Sequence, residues 1–163
     1  MKNYVDQIKA LSKKKDFSIT LAESCTGGMV SSCLTSVDGS SKFFNGSIIS
    51  YSNSLKKNIL NVPKNTISKY GSVSHQTALA MVKGIKKMSD SEIIVSITGV
   101  AGPKGGNVKT PIGCVYFGIG IKKKSGYRFK TIKKLFKKNN RRTIQRKSSE
   151  FVLKTIVAEI KKI

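Results

Sequence analysis

The sequence predicts an α/β fold: one domain over residues 1–163, built as a mixed sheet with helices on both faces. Three observations lead there. Short apolar runs suited to buried strands alternate with amphipathic stretches of helical period as far as Thr98. Two more strand-like runs then follow one another across a turn bearing lysine and glycine, which makes a hairpin rather than another crossover. The length suffices for one core, and no internal repeat, long linker or low-complexity block divides it.

Each element has its own warrant. Residues 3–12 place Tyr4, Val5, Ile8 and Leu11 at helical spacing. FSITLAES, residues 17–24, reads as a strand. TGGMVSSCLTSV, residues 26–37, gives a helical face of Met29, Val30, Cys33, Leu34 and Val37, with two glycines in its first turn. VDGSSKFF is a loop, and a second strand is expected from Gly46 to Ser52. SLKKNILNV sets Leu55, Ile59 and Leu60 on one side of a short helix, which Pro63 ends or restarts. SVSHQTALAMVKGIKKMSD is the clearest helix, with Ser74 as N-cap and Ala78, Met81, Val82, Ile85 and Met88 on one face. SEIIVSIT is a buried strand, and GVAGPKGGNVKTP a loop rich in glycine and proline. IGCVYFGIGIK and YRFKTIKKLF form the hairpin. From Asn140 onward a last helix carries Ile144, Phe151, Val152, Thr155, Ile156 and Ile160 as its apolar stripe.

Composition narrows the function classes. Hydrophobic residues are 39% and aromatic residues 7%, with no Trp, and no apolar run approaches the ~20 residues of a membrane helix. The N-terminus is charged and amphipathic without a signal-peptide core, so a soluble cytoplasmic protein is expected. Cys25, Cys33 and Cys114 are odd in number and lack metal-ligand spacing, so a disulfide framework is not expected. The net charge of +23 raises a nucleic-acid partner. Two features speak against it. The cations are nearly all lysine, spread in small groups from Lys13 to Lys138, and the few arginines are Arg128, Arg141, Arg142 and Arg146. Base readout favours the planar guanidinium, and no aromatic residues interleave with the lysines. A small anionic substrate would be steered inward by such a field. Whether the chain forms a homo-oligomer stays open.

Ligands of open α/β sheets bind beyond the carboxyl ends of the strands. Three such ends are rich in polar residues: AESCTGG, SYSNSLKK and SITGVAGPKGG. Their convergence on one crevice is the main functional expectation. At the first, Ser24 or Thr26 is either a helix cap or a hydroxyl held beside unpaired N–H groups. The glycines match neither a phosphate-binding P-loop nor a dinucleotide fingerprint. Serine needs a base. His75, the only histidine, sits at an exposed helix start and is a poor candidate. Lysine serves when burial lowers its pKa, and Lys56 and Lys57 follow Tyr51 across a turn, where phenol and amine together can relay a proton. At the third end, Thr98 closes the strand and Gly99, Gly102, Gly105 and Gly106 let backbone approach a ligand. Arg141 and Arg142 open the last helix, a position the helix dipole disfavours for cations unless an anion is bound there. Cys25 is a rival nucleophile without a histidine partner. Cys33 and Cys114 read as core residues.

The ordered motifs LAESCTGG, SYSNSLKKNIL, YGSVS, ITGVAGPKGG and PIGCVYFGI resemble the CinA C-terminal domain family over nearly the whole chain. The resemblance implies a three-layer α/β/α sandwich with nicotinamide-nucleotide amidase activity. Nicotinamide mononucleotide, a small anionic nucleotide, is hydrolysed at its carboxamide to nicotinate mononucleotide and ammonia, with neither metal nor cofactor. It implies Ser24 as the active-site serine, Tyr51 and Lys56 as its catalytic partners, and Thr98 as the strand-end hydroxyl. It further points to substrate binding by Thr26, Gly27, Gly28, Asn53, Gly99, Gly102 and Arg141. The family's C-terminal basic motif is altered here to NNRR, with Arg141 the best match and Gln145 where a second arginine is expected. A catalytically inactive nucleotide-binding protein, or less favoured a basic nucleic-acid-binding module, are the alternatives.

Overall fold

A computed structural model describes residues 1–137 and 140–163. Lys138, the last of the lysine groups, and Asn139, the first residue of NNRR, lie outside the described residues. The chain runs α1 (Lys2–Ser12), β1 (Ile19–Glu23), α2 (Met29–Thr35), a 3₁₀ turn (Ser40–Lys42), β2 (Phe44–Ile49), α3 (Asn53–Asn58), α4 (Lys64–Tyr70), α5 (His75–Met88), β3 (Ile93–Gly99), β4 (Cys114–Lys123), β5 (Gly126–Leu135) and α6 (Arg141–Ile160). The strands form one five-stranded sheet in the order β2-β1-β3-β4-β5. The first three are parallel, and β4 and β5 are antiparallel. The sheet is therefore mixed, as the sequence predicts.

Period-two alternation divides the strands between two layers of helix. Ile19 and Leu21 of β1, Val95 and Ile97 of β3, and Val115 and Phe117 of β4 pack with α1, α2 and α6 through Val5, Ile8, Val30, Leu34, Ile144, Val152 and Ile156. Ala22 and Ile94 face the other way, onto Leu60 and onto Met81, Val82 and Ile85 of α5. The result is a three-layer α/β/α domain. A strand covered on both sides needs its polar residues satisfied within the protein. In β3, Ser96 Oγ donates to the Ala78 carbonyl at 2.6 Å and Thr98 Oγ1 to the Ser72 carbonyl at 2.7 Å. The β5 edge carries Arg128, Lys130, Lys133 and Lys134, which blunts pairing with another chain and gives part of the lysine excess a structural use.

Two expectations are corrected, and one alternative is decided. β2 ends at Ile49 rather than Ser52, because Ser50 N–H turns to donate to the Glu23 and Ile48 carbonyls and Ser52 becomes the N-cap of α3. Gly27 and Gly28 precede α2 instead of forming its first turn, and both adopt positive φ, 61° and 94°. After Pro63 the chain restarts as a separate helix, α4, whose sequence KNTISKY carries almost no apolar pattern. The first and third changes move Tyr51 and the YGSVS segment to the mouth of the crevice described next.

Candidate active site

The carboxyl ends of β1, β2 and β3 lie along one edge of the sheet, since Glu23 is registered with Ile49 and Ala22 with Ser96. A cavity of about 260 Å³ opens there. Ser24, Tyr51, Asn53, Lys56, Thr98, Gly99, Gly102 and Arg141 all line it, so the three polar strand ends converge with the start of α6. Thr26, Gly27 and Gly28 do not line it. Cys25, Ser72, Val73, Val100, Ala101, Lys104 and Gly105 complete the walls. Of these, Ser72 and Val73 were not picked out as site residues, although the YGSVS motif that contains them was visible in the sequence.

At its centre is a buried amine. Ser52 Oγ accepts from Leu55 N–H and starts α3, and one turn later Lys56 folds back under the end of β1 with 2% of its surface exposed. Its Nζ donates to Ser24 Oγ at 3.0 Å, to the Ser50 carbonyl at 2.8 Å and to the Tyr51 carbonyl at 3.2 Å. Among the described residues no carboxylate pairs with it. Burial without a counter-charge penalises the ammonium form and lowers the pKa from 10.5 to about 8. Deprotonated, the amine keeps two N–H donors for the two carbonyls, and its lone pair faces Ser24. The same 3.0 Å contact can then run from the serine hydroxyl to the lysine.

The helix start beside Ser24 is already neutralised. Glu23 is fully buried, and its carboxylate accepts from Gly28 N–H at 3.0 Å, Val30 N–H at 3.3 Å and Ser31 N–H at 2.8 Å. Gly27 N–H donates to the Ser24 carbonyl at 3.0 Å. The expectation that the N–H groups of Gly27 and Gly28 meet substrate is therefore corrected. Glu23 takes the N-terminal donors of α2, and the glycines serve the sharp left-handed turn that lets it reach them. Sequence reasoning missed Glu23, though a glutamate ending an apolar strand was the signal for it.

Tyr51 is also repositioned. The strand ends before it, so its ring is exposed at the mouth, and its hydroxyl accepts from Arg141 Nη2 at 2.7 Å. Among the described residues that hydroxyl bonds neither Lys56 nor Ser24, so the expected phenol-to-amine relay is not formed here. The residue instead reaches Lys56 through its backbone carbonyl. Arg141 Nη1 donates to the Gly102 carbonyl at 2.8 Å, tying α6 to the loop after β3. Its two described partners are neutral, so its charge is left for an anion. Gln145, one turn further, donates from Nε2 to the Cys25 carbonyl at 2.9 Å and holds α6 against the serine turn. Gly99 is required by close approach: a Cβ there would lie 2.8 Å from Val115 Cγ2 and 2.9 Å from the Cys114 carbonyl.

The rival groups fall away on physical grounds. Cys25 lines the cavity, but burial pushes its thiol up to about 12, which removes the thiolate. His75 Nδ1 contacts Thr131 Oγ1 at 2.8 Å and its ring packs edge-on against Tyr116, away from the cavity.

A mixed-sheet α/β domain with a serine–lysine pair beyond its parallel strands is thus the class that fold and site define. The model of the CinA C-terminal domain matches residues 1–160, and the chain belongs to that family. A CinA-like protein from Pseudothermotoga lettingae is 42% identical over 147 residues, covering 90% of this chain and 35% of its own length. Another from Prochlorococcus marinus subsp. pastoris is 49% identical over 142 residues, covering 86% and 32%. The chain spans about a third of the length of these relatives. The crystal structure of a competence or damage-inducible protein from Enterobacter asburiae superposes with a TM-score of 0.89 at 27% identity, covering 98% of this chain and 97% of that one. That of the competence/damage inducible protein CihA from Agrobacterium tumefaciens gives 0.86 at 28% identity, covering 95% and 94%. Among the described residues no helix is long and apolar enough to cross a membrane.

Proposed function

We propose that this chain is a nicotinamide-nucleotide amidase that hydrolyses the carboxamide of nicotinamide mononucleotide to nicotinate mononucleotide and ammonia. The observation that carries the reading is the buried Lys56 amine, 3.0 Å from Ser24 Oγ and held by two backbone carbonyls. Ser24 Oγ attacks the amide carbon while the neutral Lys56 takes its proton. The carbonyl oxygen gathers charge as the C–O bond forms, and the N–H groups of Gly27 and Gly28, already occupied, do not meet it. Lys56, now an ammonium, returns the proton to the departing nitrogen, and ammonia leaves. Water activated by the same amine then cleaves the ester and frees the acid.

Arg141 receives the nucleotide phosphate, supported by Lys104 and the 99–106 loop. Among the described residues neither aspartate nor glutamate lines the cavity to oppose an anion. Tyr51 keeps a positioning role: its carbonyl holds Lys56 and its phenol aligns Arg141. Asn53 and Thr98 contribute polar wall. The serine could instead orient an attacking water, and trapping an acyl-enzyme for mass spectrometry separates the two routes. The test of the function is ammonia release from nicotinamide mononucleotide. Wild type should release it and Ser24→Ala should lose at least about 10³-fold in rate; equal release by both would remove Ser24 from the chemistry. A second reading, a mononucleotide-binding protein without turnover, is favoured by Gln145. That position holds the serine turn where the family pattern has a second cation. Binding without ammonia release by folded wild type would select it.

A further inference from the structure

A second hollow of about 350 Å³ adjoins the first. The two meet along Ser72, Val73, Val100 and Gly105, which line both. The outer hollow lies between the end of α4 and the loop after β3, and its cations are Lys69 and Lys109, both exposed. Among the described residues neither lysine is paired with a carboxylate, and neither hollow has an Asp or Glu in its wall. Tyr70 supplies an aromatic ring at the outer end, 44% exposed, with Lys69 Nζ 5.4 Å from its centroid.

These features differ from a lysine-coated surface in one respect. The cations flank a depression that has Ser72, Val73, Val100 and Gly105 in common with the wall of the candidate active site. A ligand seated with its amide at Ser24 and its first phosphate near Arg141 reaches the outer hollow by continuing past the shared Ser72 and Gly105, towards Lys69 and Lys109. We infer that this outer hollow is a subsite for a second phosphoryl group, so that the cleft binds phosphoanhydride-extended pyridine nucleotides as well as the mononucleotide. Lys69 and Lys109 contact the distal phosphate, and Tyr70 offers a face to the base beyond it. The inference rests on the nucleotide reading above and extends it to ligand length. It concerns binding and assigns no turnover to the longer ligand.

The experiment is calorimetric titration of wild type, Lys69→Ala/Lys109→Ala and a charge-matched control, Lys13→Ala/Lys14→Ala, with nicotinamide mononucleotide and with nicotinamide adenine dinucleotide. Ammonia release from the mononucleotide is measured in parallel. Wild type and control should bind the dinucleotide equally well. The Lys69/Lys109 variant should bind it roughly tenfold more weakly, as expected for two partly solvated lysine–phosphate contacts, while its mononucleotide affinity and ammonia release stay within about twofold of wild type. The subsite is refuted if wild type binds the mononucleotide and not the dinucleotide, or if the variant weakens both ligands alike, or if the control weakens the dinucleotide as much. Binding of both ligands without ammonia release would sink the amidase reading and leave the subsite standing.

Discussion

Replacing Lys56 by Met removes the amine and keeps most of the stem, which makes it the sharpest probe of the serine–lysine pair. Two structural effects oppose each other. In wild type the lowering of the pKa from 10.5 to about 8 corresponds to roughly 3 kcal/mol of destabilisation while the amine is charged in both folded and unfolded chains. Lys56→Met relieves that cost. It also leaves the Ser50 and Tyr51 carbonyls without their donor, at about 1–3 kcal/mol each. The net change in stability should stay within about 3 kcal/mol, so the variant folds. On the proposed mechanism catalysis, by contrast, loses its base, and kcat/KM should fall by about 10²–10⁴. In wild type the reactive form is the neutral amine, about a tenth of the molecules at pH 7 for a group titrating near 8. Wild-type kcat/KM should therefore climb roughly tenfold from pH 7 to a plateau above pH 9. Stability should rise over the interval from about 8 to 10.5, where the folded chain has released the Lys56 proton and the unfolded chain still holds it. The assays are initial rates of ammonia release from pH 6 to 10 and urea unfolding at each pH. A wild-type profile flat between pH 7 and 9 with chemistry rate-limiting, or a folded Lys56→Met with near-normal rates, would refute the reasoning.

Arg141→Met should raise KM for the mononucleotide about 10–100-fold with a smaller effect on kcat, because the proposed function gives this guanidinium the phosphate and not the reacting amide; a change in kcat alone would contradict that assignment. Cys25→Ala should retain most activity, and wild-type Cys25 should resist alkylation at pH 8, since its thiol titrates only near 12. Rapid labelling at Cys25, read by mass spectrometry, would count against that. Gly99→Ala should cost about 1–3 kcal/mol in urea unfolding, as the added methyl must displace Val115 or the β4 backbone. An unchanged midpoint would mean the strand ends are looser than the register implies.

The sequence alone determined the alternation of strands and helices, the closing hairpin and the three strand ends that gather at the cleft. These follow from local information: period-two and period-3.6 apolar spacing, and turn residues whose meaning does not depend on distant neighbours. Hydroxyls and cations at element boundaries stand out against an apolar pattern and raised Ser24 or Thr26, Lys56 or Lys57, Thr98, and Arg141 or Arg142; the resemblance to the CinA C-terminal domain family then implied Ser24, Lys56, Thr98 and Arg141. The tertiary structure alone decided their partners. Lys56 could be read equally well as a surface lysine until the end of β1 and the turn after β2 were seen to close over it, and solvent exclusion is what lowers its pKa. Glu23 could be read as the last residue of a strand until the Gly27–Gly28 turn brought α2 back onto its carboxylate. Tyr51 kept its place in the cleft while its hydroxyl went to Arg141, a residue 90 positions away in the chain. Burial, counter-charge and hydrogen-bond direction are set by contacts between distant segments, and no spacing rule along one chain encodes them.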